Sequence, residues 1–166
     1  YQQAPPEGLR TKIHQAGIVG LGGAAFPTAT KLTTKQDIHT LIINGAECEP
    51  YISCDASLIL QKAEEIVQGA LILQHILQAQ HCIIALEENM PQAAQALQKV
   101  ISTKPIQLII VPAIYPTGGE KQLIQVLTGT KIPAKALPAE HGFICQNVGT
   151  AYAVYQAIIQ GLPLTE

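Results

Sequence analysis

Three short, nearly unbroken aliphatic runs constrain this chain most: His39-Thr40-Leu41-Ile42-Ile43, Cys82-Ile83-Ile84-Ala85-Leu86 and Ile106-Gln107-Leu108-Ile109-Ile110-Val111. A strand with one wet face alternates apolar and polar residues. A run without that alternation is apolar on both faces and has to be covered on both. Phe143-Ile144-Cys145 reads as a fourth, shorter strand. The segments between them read as helices, over residues 5–16, 28–32, 55–79, 91–102, 120–127 and 148–160. Thr28 and Asp55 are placed to cap their helices, Gly69 to interrupt the long one, and Pro91 to open the next. Strands alternating with helices predict an α/β domain: a parallel sheet with helices on both faces, a three-layer, Rossmann-like arrangement. At 166 residues the chain suits one domain with a core of its own.

Composition removes several classes. A formal net charge of −2 gives no cationic surface for nucleic acid. The longest apolar segment, 56–79, carries Gln61, Lys62, Glu64, Glu65, Gln68 and Gln74, too polar for a membrane span. Cys48, Cys54, Cys82 and Cys145 form no C-x-x-C pair, so a metal site made wholly from this chain is not expected; the spacing reads as reduced thiols of a cytoplasmic protein. The chain begins with Tyr1 and stops shortly after Gly161, and it reads as a fragment of a longer protein.

Ligands of parallel sheets gather at the carboxyl ends of the strands. Here those ends carry residues 44–49, 87–89, 115–120 and Gln146-Asn147. A glycine-rich stretch, Gly20-Leu21-Gly22-Gly23-Ala24-Ala25-Phe26-Pro27, precedes them, with Lys31 just beyond. Dense glycine lets backbone N–H groups approach an anion, and the lysine adds a countercharge. Gly20-x-Gly22-x-x-Ala25 also satisfies the dinucleotide-binding pattern, with Glu47 at a suitable distance. That pattern has to follow a buried strand, whereas residues 11–16 read helical, and Pro27 stands where its helix should run. The ordinary Rossmann reading is rejected.

Four ordered blocks carry a different resemblance. The stretch from Gly20 to Lys31, then Asn44-Gly45-Ala46-Glu47-Cys48-Glu49-Pro50, then Tyr115-Pro116-Thr117-Gly118-Gly119-Glu120, then Gln146-Asn147-Val148-Gly149-Thr150 resembles the flavin- and NADH-binding domain of the complex I flavoprotein subunit. It resembles still more closely the RnfC family, peripheral subunits of the Rnf ion-translocating electron-transport complex. The resemblance implies one FMN/NADH-binding domain over 1–166, with a β-grasp module and 4Fe–4S clusters in a part absent here. Gly20, Gly22 and Gly23 would line the FMN, with Lys31 at its phosphate or ribityl side. Asn44 would bond the ring edge beside Glu47. Tyr115, Gly118 and Gly119 would form the opposite wall, and Gln146, Asn147 and Thr150 would complete the cofactor site. Phe26 would stack on NADH, and Glu49 and Glu120 would bind its ribose or carboxamide. Ala46, Gly119 and Gln146 depart from the complex I pattern, which has an acidic residue, a glutamate and an asparagine there.

The resemblance further implies an oxidoreductase without a catalytic acid or base, because hydride and electron transfer belong to the flavin. Its partners would be the other Rnf subunits, on the cytoplasmic side of the bacterial inner membrane. An alternative from another class stays open: a nucleotide-binding or scaffold module that has lost its flavin, favoured by Ala46 and Gly119. Taken singly, Asn147 and Thr150 could be helix caps, Glu49 a turn former and Phe26 a core residue. No nucleophile–histidine–acid pattern emerges for a hydrolase, the five histidines being scattered.

Overall fold

The computed structural model describes residues 1–23, 25–46, 54–113 and 119–164. Four strands, β1 (Thr40–Asn44), β2 (His81–Glu87), β3 (Gln107–Val111) and β4 (Phe143–Asn147), form one sheet in the order β3-β2-β1-β4. All neighbouring pairs are parallel, as the unalternating aliphatic runs require. The helices are α1 (Pro6–Gln15), α2 (Thr28–Leu32), α3 (Cys54–Leu77), α4 (Pro91–Ile101), α5 (Glu120–Thr128) and α6 (Val148–Tyr155).

The two faces of the sheet have separate cores. Leu41, Ile43, Ile84 and Ile144 point into one, with Ile66 and Leu73 of α3, Leu97 of α4 and Val148 of α6. Ile42, Ala85, Phe143 and Cys145 point into the other, against Leu123 and Ile124 of α5. These are the expected three layers, unequally filled: α1, α3, α4 and α6 on one side and α5 on the other. Successive residues of β1 and β2 alternate between the two cores, which is why their apolar runs carry no polar alternation. The edge strand β3 departs from the expected cover on both faces: Gln107 is exposed and Ile110 is 47% exposed.

Three local expectations are corrected. Gly69 does not interrupt α3; the break lies at Lys62, with φ −134° and ψ 29°. Gly69 is needed for proximity instead: a Cβ there would fall on the Ala151 carbonyl group of α6. Thr28 does not cap α2, since Pro27 is the capping residue and the buried Thr28 hydroxyl has no hydrogen-bond partner among the described residues. The last helix changes pitch, running as α to Tyr155 and as a π turn over Gln156–Gln160 before Gly161, at φ +68°, ends it.

The chain steps outward from β1 to β3 and then returns to place β4 on the free side of β1. Strand order reverses between β1 and β4, the position where open parallel sheets bind ligands. One feature departs from the doubly wound pattern. The helices that follow β1 and β4 lie on the same face and pack on each other.

Candidate functional site

The site begins with two asparagines. Asn44 and Asn147 end β1 and β4 and are register partners, so their side chains leave the sheet side by side. Asn44 Oδ1 accepts from the Ala46 N–H at 2.9 Å, a local turn that starts the loop after β1. Asn147 caps α6: its Oδ1 accepts from the Gly149 N–H at 2.7 Å. Its Nδ2 donates to Asp55 Oδ2 at 2.8 Å, joining the start of α6 to the first turn of α3. α3 begins at Cys54, one residue earlier than expected, so Asp55 lies inside the helix.

The glycine loop lies against Asn147 and the first turn of α6. It is closed at its base by the Gly20 N–H donating to Phe26 O at 2.8 Å and by a bridge between Val19 and Pro27. Gly23 has φ +98° and Ala25 φ +46°, so the loop turns through left-handed conformations. The Leu21 N–H donates to Thr150 Oγ1 at 3.0 Å, and that threonine is fully buried. A Cβ at Gly22 would sit 3.3 Å from Asn147 Cβ, so glycine allows the loop to lie directly on the asparagine. Gly20, Gly22, Gly23, Asn44, Asn147 and Thr150 are therefore brought together. Phe26 stands at the loop's rim, 51% exposed rather than in the core.

Lys31 approaches from the other side. Its Nζ donates to Glu120 Oε1 at 2.9 Å and to Cys145 O at 2.6 Å. β4 is the outermost strand there, so α2 shields its edge through this lysine. Gly119, with φ −65° and ψ 135°, is the N-cap of α5, and Glu120 is that helix's first residue. Burial pushes the Cys145 thiol well above its usual range, with Glu120 adding to the rise and Lys31 opposing it. It is an inert core thiol. Gln146 is 5% exposed, and its Nε2 has no hydrogen-bond partner among the described residues.

Glu47, Glu49, Tyr115 and Gly118 lie outside the described residues. Among the described residues, no group of three or more His, Cys, Asp or Glu could hold a metal ion, and no helix is long and apolar enough to cross a membrane. Sequence reasoning missed one residue of the site, Asp55, whose position near the start of a helix suggested a cap. The available signal was its place just after the loop that leaves β1.

Residues 13–156 match the family model described as the Nuo51 FMN-binding domain. The chain belongs to that family. Among curated relatives it is 46% identical, over 99% of its length, to the RnfC-type subunit of the ion-translocating oxidoreductase complex of Pseudomonas aeruginosa. It is 48% identical over 99% of its length to the same subunit of Vibrio cholerae, and 50% over 100% to that of Edwardsiella ictaluri. It spans about a fifth of each relative, 21% of their length. Among solved structures it is similar to an NAD+-reducing NiFe hydrogenase in the air-oxidised state, with a TM-score of 0.73 and 27% identity over 90% of this chain and 30% of that one. The H2-reduced state of such an enzyme gives a TM-score of 0.76 at 24% identity, over 92% and 30% respectively, a likeness of fold. The Nuo51-type α/β fold expected from the four blocks is thus the fold of this family.

Proposed function

We propose that this domain binds FMN where β1 and β4 end and, within a longer subunit, takes electrons from NADH and passes them through iron–sulfur centres to membrane partners of an ion-translocating complex. The observation that carries this reading is the register pair Asn44–Asn147 with the glycine loop lying on Asn147. Family membership and the names of the curated relatives support it.

The chain's own groups suit FMN. Gly22 and Gly23 open the backbone to close approach, Asn44 and Asn147 present amides, and the buried Gln146 Nε2 is a donor with no acceptor among the described residues. A set dominated by donors matches a ligand rich in carbonyl and phosphate oxygens. Gly20 and Thr150 hold the loop in place, and Gly119 starts α5 across from it. Bound flavin would supply the conversion of a two-electron hydride into single electrons. The protein's task is to fix the ring, exclude water and present a nicotinamide to it. Phe26 offers an exposed aromatic face for that dinucleotide, and Glu120 a carboxylate held by Lys31. Glu47, Glu49, Tyr115 and Gly118 belong to the same proposal. The assembled subunit would sit on the cytoplasmic face of the bacterial inner membrane.

One observation favours the second reading, a nucleotide-binding or scaffold module without flavin: Lys31 is already bonded to Glu120 and a strand carbonyl, so its charge is not free for a phosphate. Titrating the purified chain with FMN, following quenching of flavin fluorescence, decides between them. Micromolar or tighter binding is expected, followed by bleaching of the flavin's visible band on anaerobic addition of NADH. Absence of micromolar binding would leave the scaffold reading. Binding without bleaching would remove NADH alone.

A further inference from the structure

We propose that Asp55 is a positioning residue for the flavin pocket, holding the Asn147 side chain, and through it the glycine loop, in the orientation that meets the ligand. This rests on the FMN reading above. An asparagine amide has an oxygen and a nitrogen of nearly equal size, and only its hydrogen-bond partners decide which points where. At Asn147 both ends are assigned by unlike partners. A backbone N–H, from Gly149, takes the oxygen, and a carboxylate, from Asp55, takes the nitrogen. A flip would set oxygen against carboxylate and N–H against N–H, losing both bonds. With these two bonds made, one Nδ2 hydrogen and one Oδ1 lone pair remain, and their directions are set before any ligand arrives. Pre-set donors of this kind bind without the cost of ordering them afterwards.

Two further features make Asp55 the controlling group. It lies on the part of α3 that precedes the break at Lys62, so the bond to Asn147 ties that short piece to the end of β4. Asn147 is also the surface on which the glycine loop lies, 3.3 Å from a Cβ position at Gly22. One carboxylate thus connects the start of α3, the turn after β4 and the glycine loop.

The test is a double-mutant cycle in this chain. Asp55→Ala is expected to weaken FMN binding about tenfold, and Asn147→Ala to do at least as much. Adding Asp55→Ala to Asn147→Ala should then change the affinity little, because the aspartate acts through the asparagine. Asp55→Asn, which can still accept from Nδ2, should recover most of the loss and shows that the fold tolerates change there. A ligand-free readout accompanies these: in Asp55→Ala, amide exchange should quicken at Gly149 and Leu21 while the β1 and β2 amides stay protected. Additive losses in the cycle, or unchanged exchange at Gly149 and Leu21, would overturn the positioning role. Failure of the unmutated chain to bind FMN would overturn the flavin reading itself, and the exchange data would show whether the Asp55–Asn147 tie still orders the loop.

Discussion

Alanine for glycine in the middle of a helix ordinarily stabilises it by up to about 1 kcal/mol, through propensity alone. At Gly69 we expect the opposite sign. A Cβ built there lies 2.6 Å from the carbonyl carbon of Ala151 and 3.2 Å from its Cα, and it meets the carbonyl oxygen more closely still. The obstacle is backbone of α6, and no rotamer change can relieve it. Overpacking in a tight core costs on the order of 1–3 kcal/mol, and backbone against a new methyl belongs at the upper end. Subtracting the propensity gain leaves a net loss of roughly 2 kcal/mol, or a fall in Tm of about 4–8 °C for a domain of this size.

Gly8→Ala supplies the control. Gly8 sits in α1, where its Cβ would meet only Pro5 Cγ at an ordinary 3.6 Å. The same substitution there should be neutral or stabilising. Urea and thermal unfolding followed by circular dichroism would measure both variants. Gly69→Ala should also weaken FMN binding, because α6 starts immediately after Asn147 and contains Thr150, and shifting the helix shifts both. A Gly69→Ala variant as stable as the parent would refute the close α3–α6 approach from which the sign was derived.

Lys31→Met should cost about 1–2 kcal/mol, because the Cys145 carbonyl on the edge of β4 loses its donor. Glu120→Gln should cost under about 1 kcal/mol, since that ion pair is roughly a third exposed; equal losses in urea unfolding would show that the ion pair matters more than the carbonyl bond. Gly22→Val should push the glycine loop off Asn147 and weaken FMN binding about tenfold, near 1.4 kcal/mol, while leaving Tm nearly unchanged; a normal fluorescence titration would contradict the loop's placement. Alkylation followed by mass spectrometry should label exposed Cys54 quickly and spare buried Cys82 and Cys145 until the chain unfolds. Burial pushes the Cys82 thiol from 9.0 to about 12. The unfolded chain therefore releases this proton first as pH rises, and stability should fall between those values by about 1.4 kcal/mol per pH unit for this thiol. Urea unfolding of Cys82→Ala should show a shallower alkaline decline; an unchanged slope would contradict the shift.

What could be read from the sequence was local, and what could not was distant. The strands were legible because each residue of Leu41-Ile42-Ile43 or Ile83-Ile84-Ala85 needs an apolar neighbour, whichever face it takes. Pro91 opens α4 as expected, and Asn147 caps α6, the local alternative that its position also allowed, since both effects act within a turn. Gly69 was misread because its reason for being glycine lies in Ala151, on another helix. Asp55 looked like a cap because its partner is 92 residues away. The bond from Lys31 to Glu120 was not legible either, because nothing near the lysine in sequence points to a residue 89 positions on.

The glycine loop shows how these two kinds of information combine. Its composition alone permitted a turn, a Rossmann fingerprint or an anion cradle. The choice depends on what it rests against: an asparagine held at both ends of its amide and a buried threonine hydroxyl that takes the Leu21 N–H. Both contacts come from the β4–α6 turn, which reaches the loop only because β4 returns to the free side of β1. With β4 on the far side of β3 instead, the same glycines would face no asparagine and no threonine. The site is therefore a property of strand order as much as of its residues. That is why a substitution at the buried α3–α6 contact, touching none of the candidate ligand groups, should still be felt in flavin affinity.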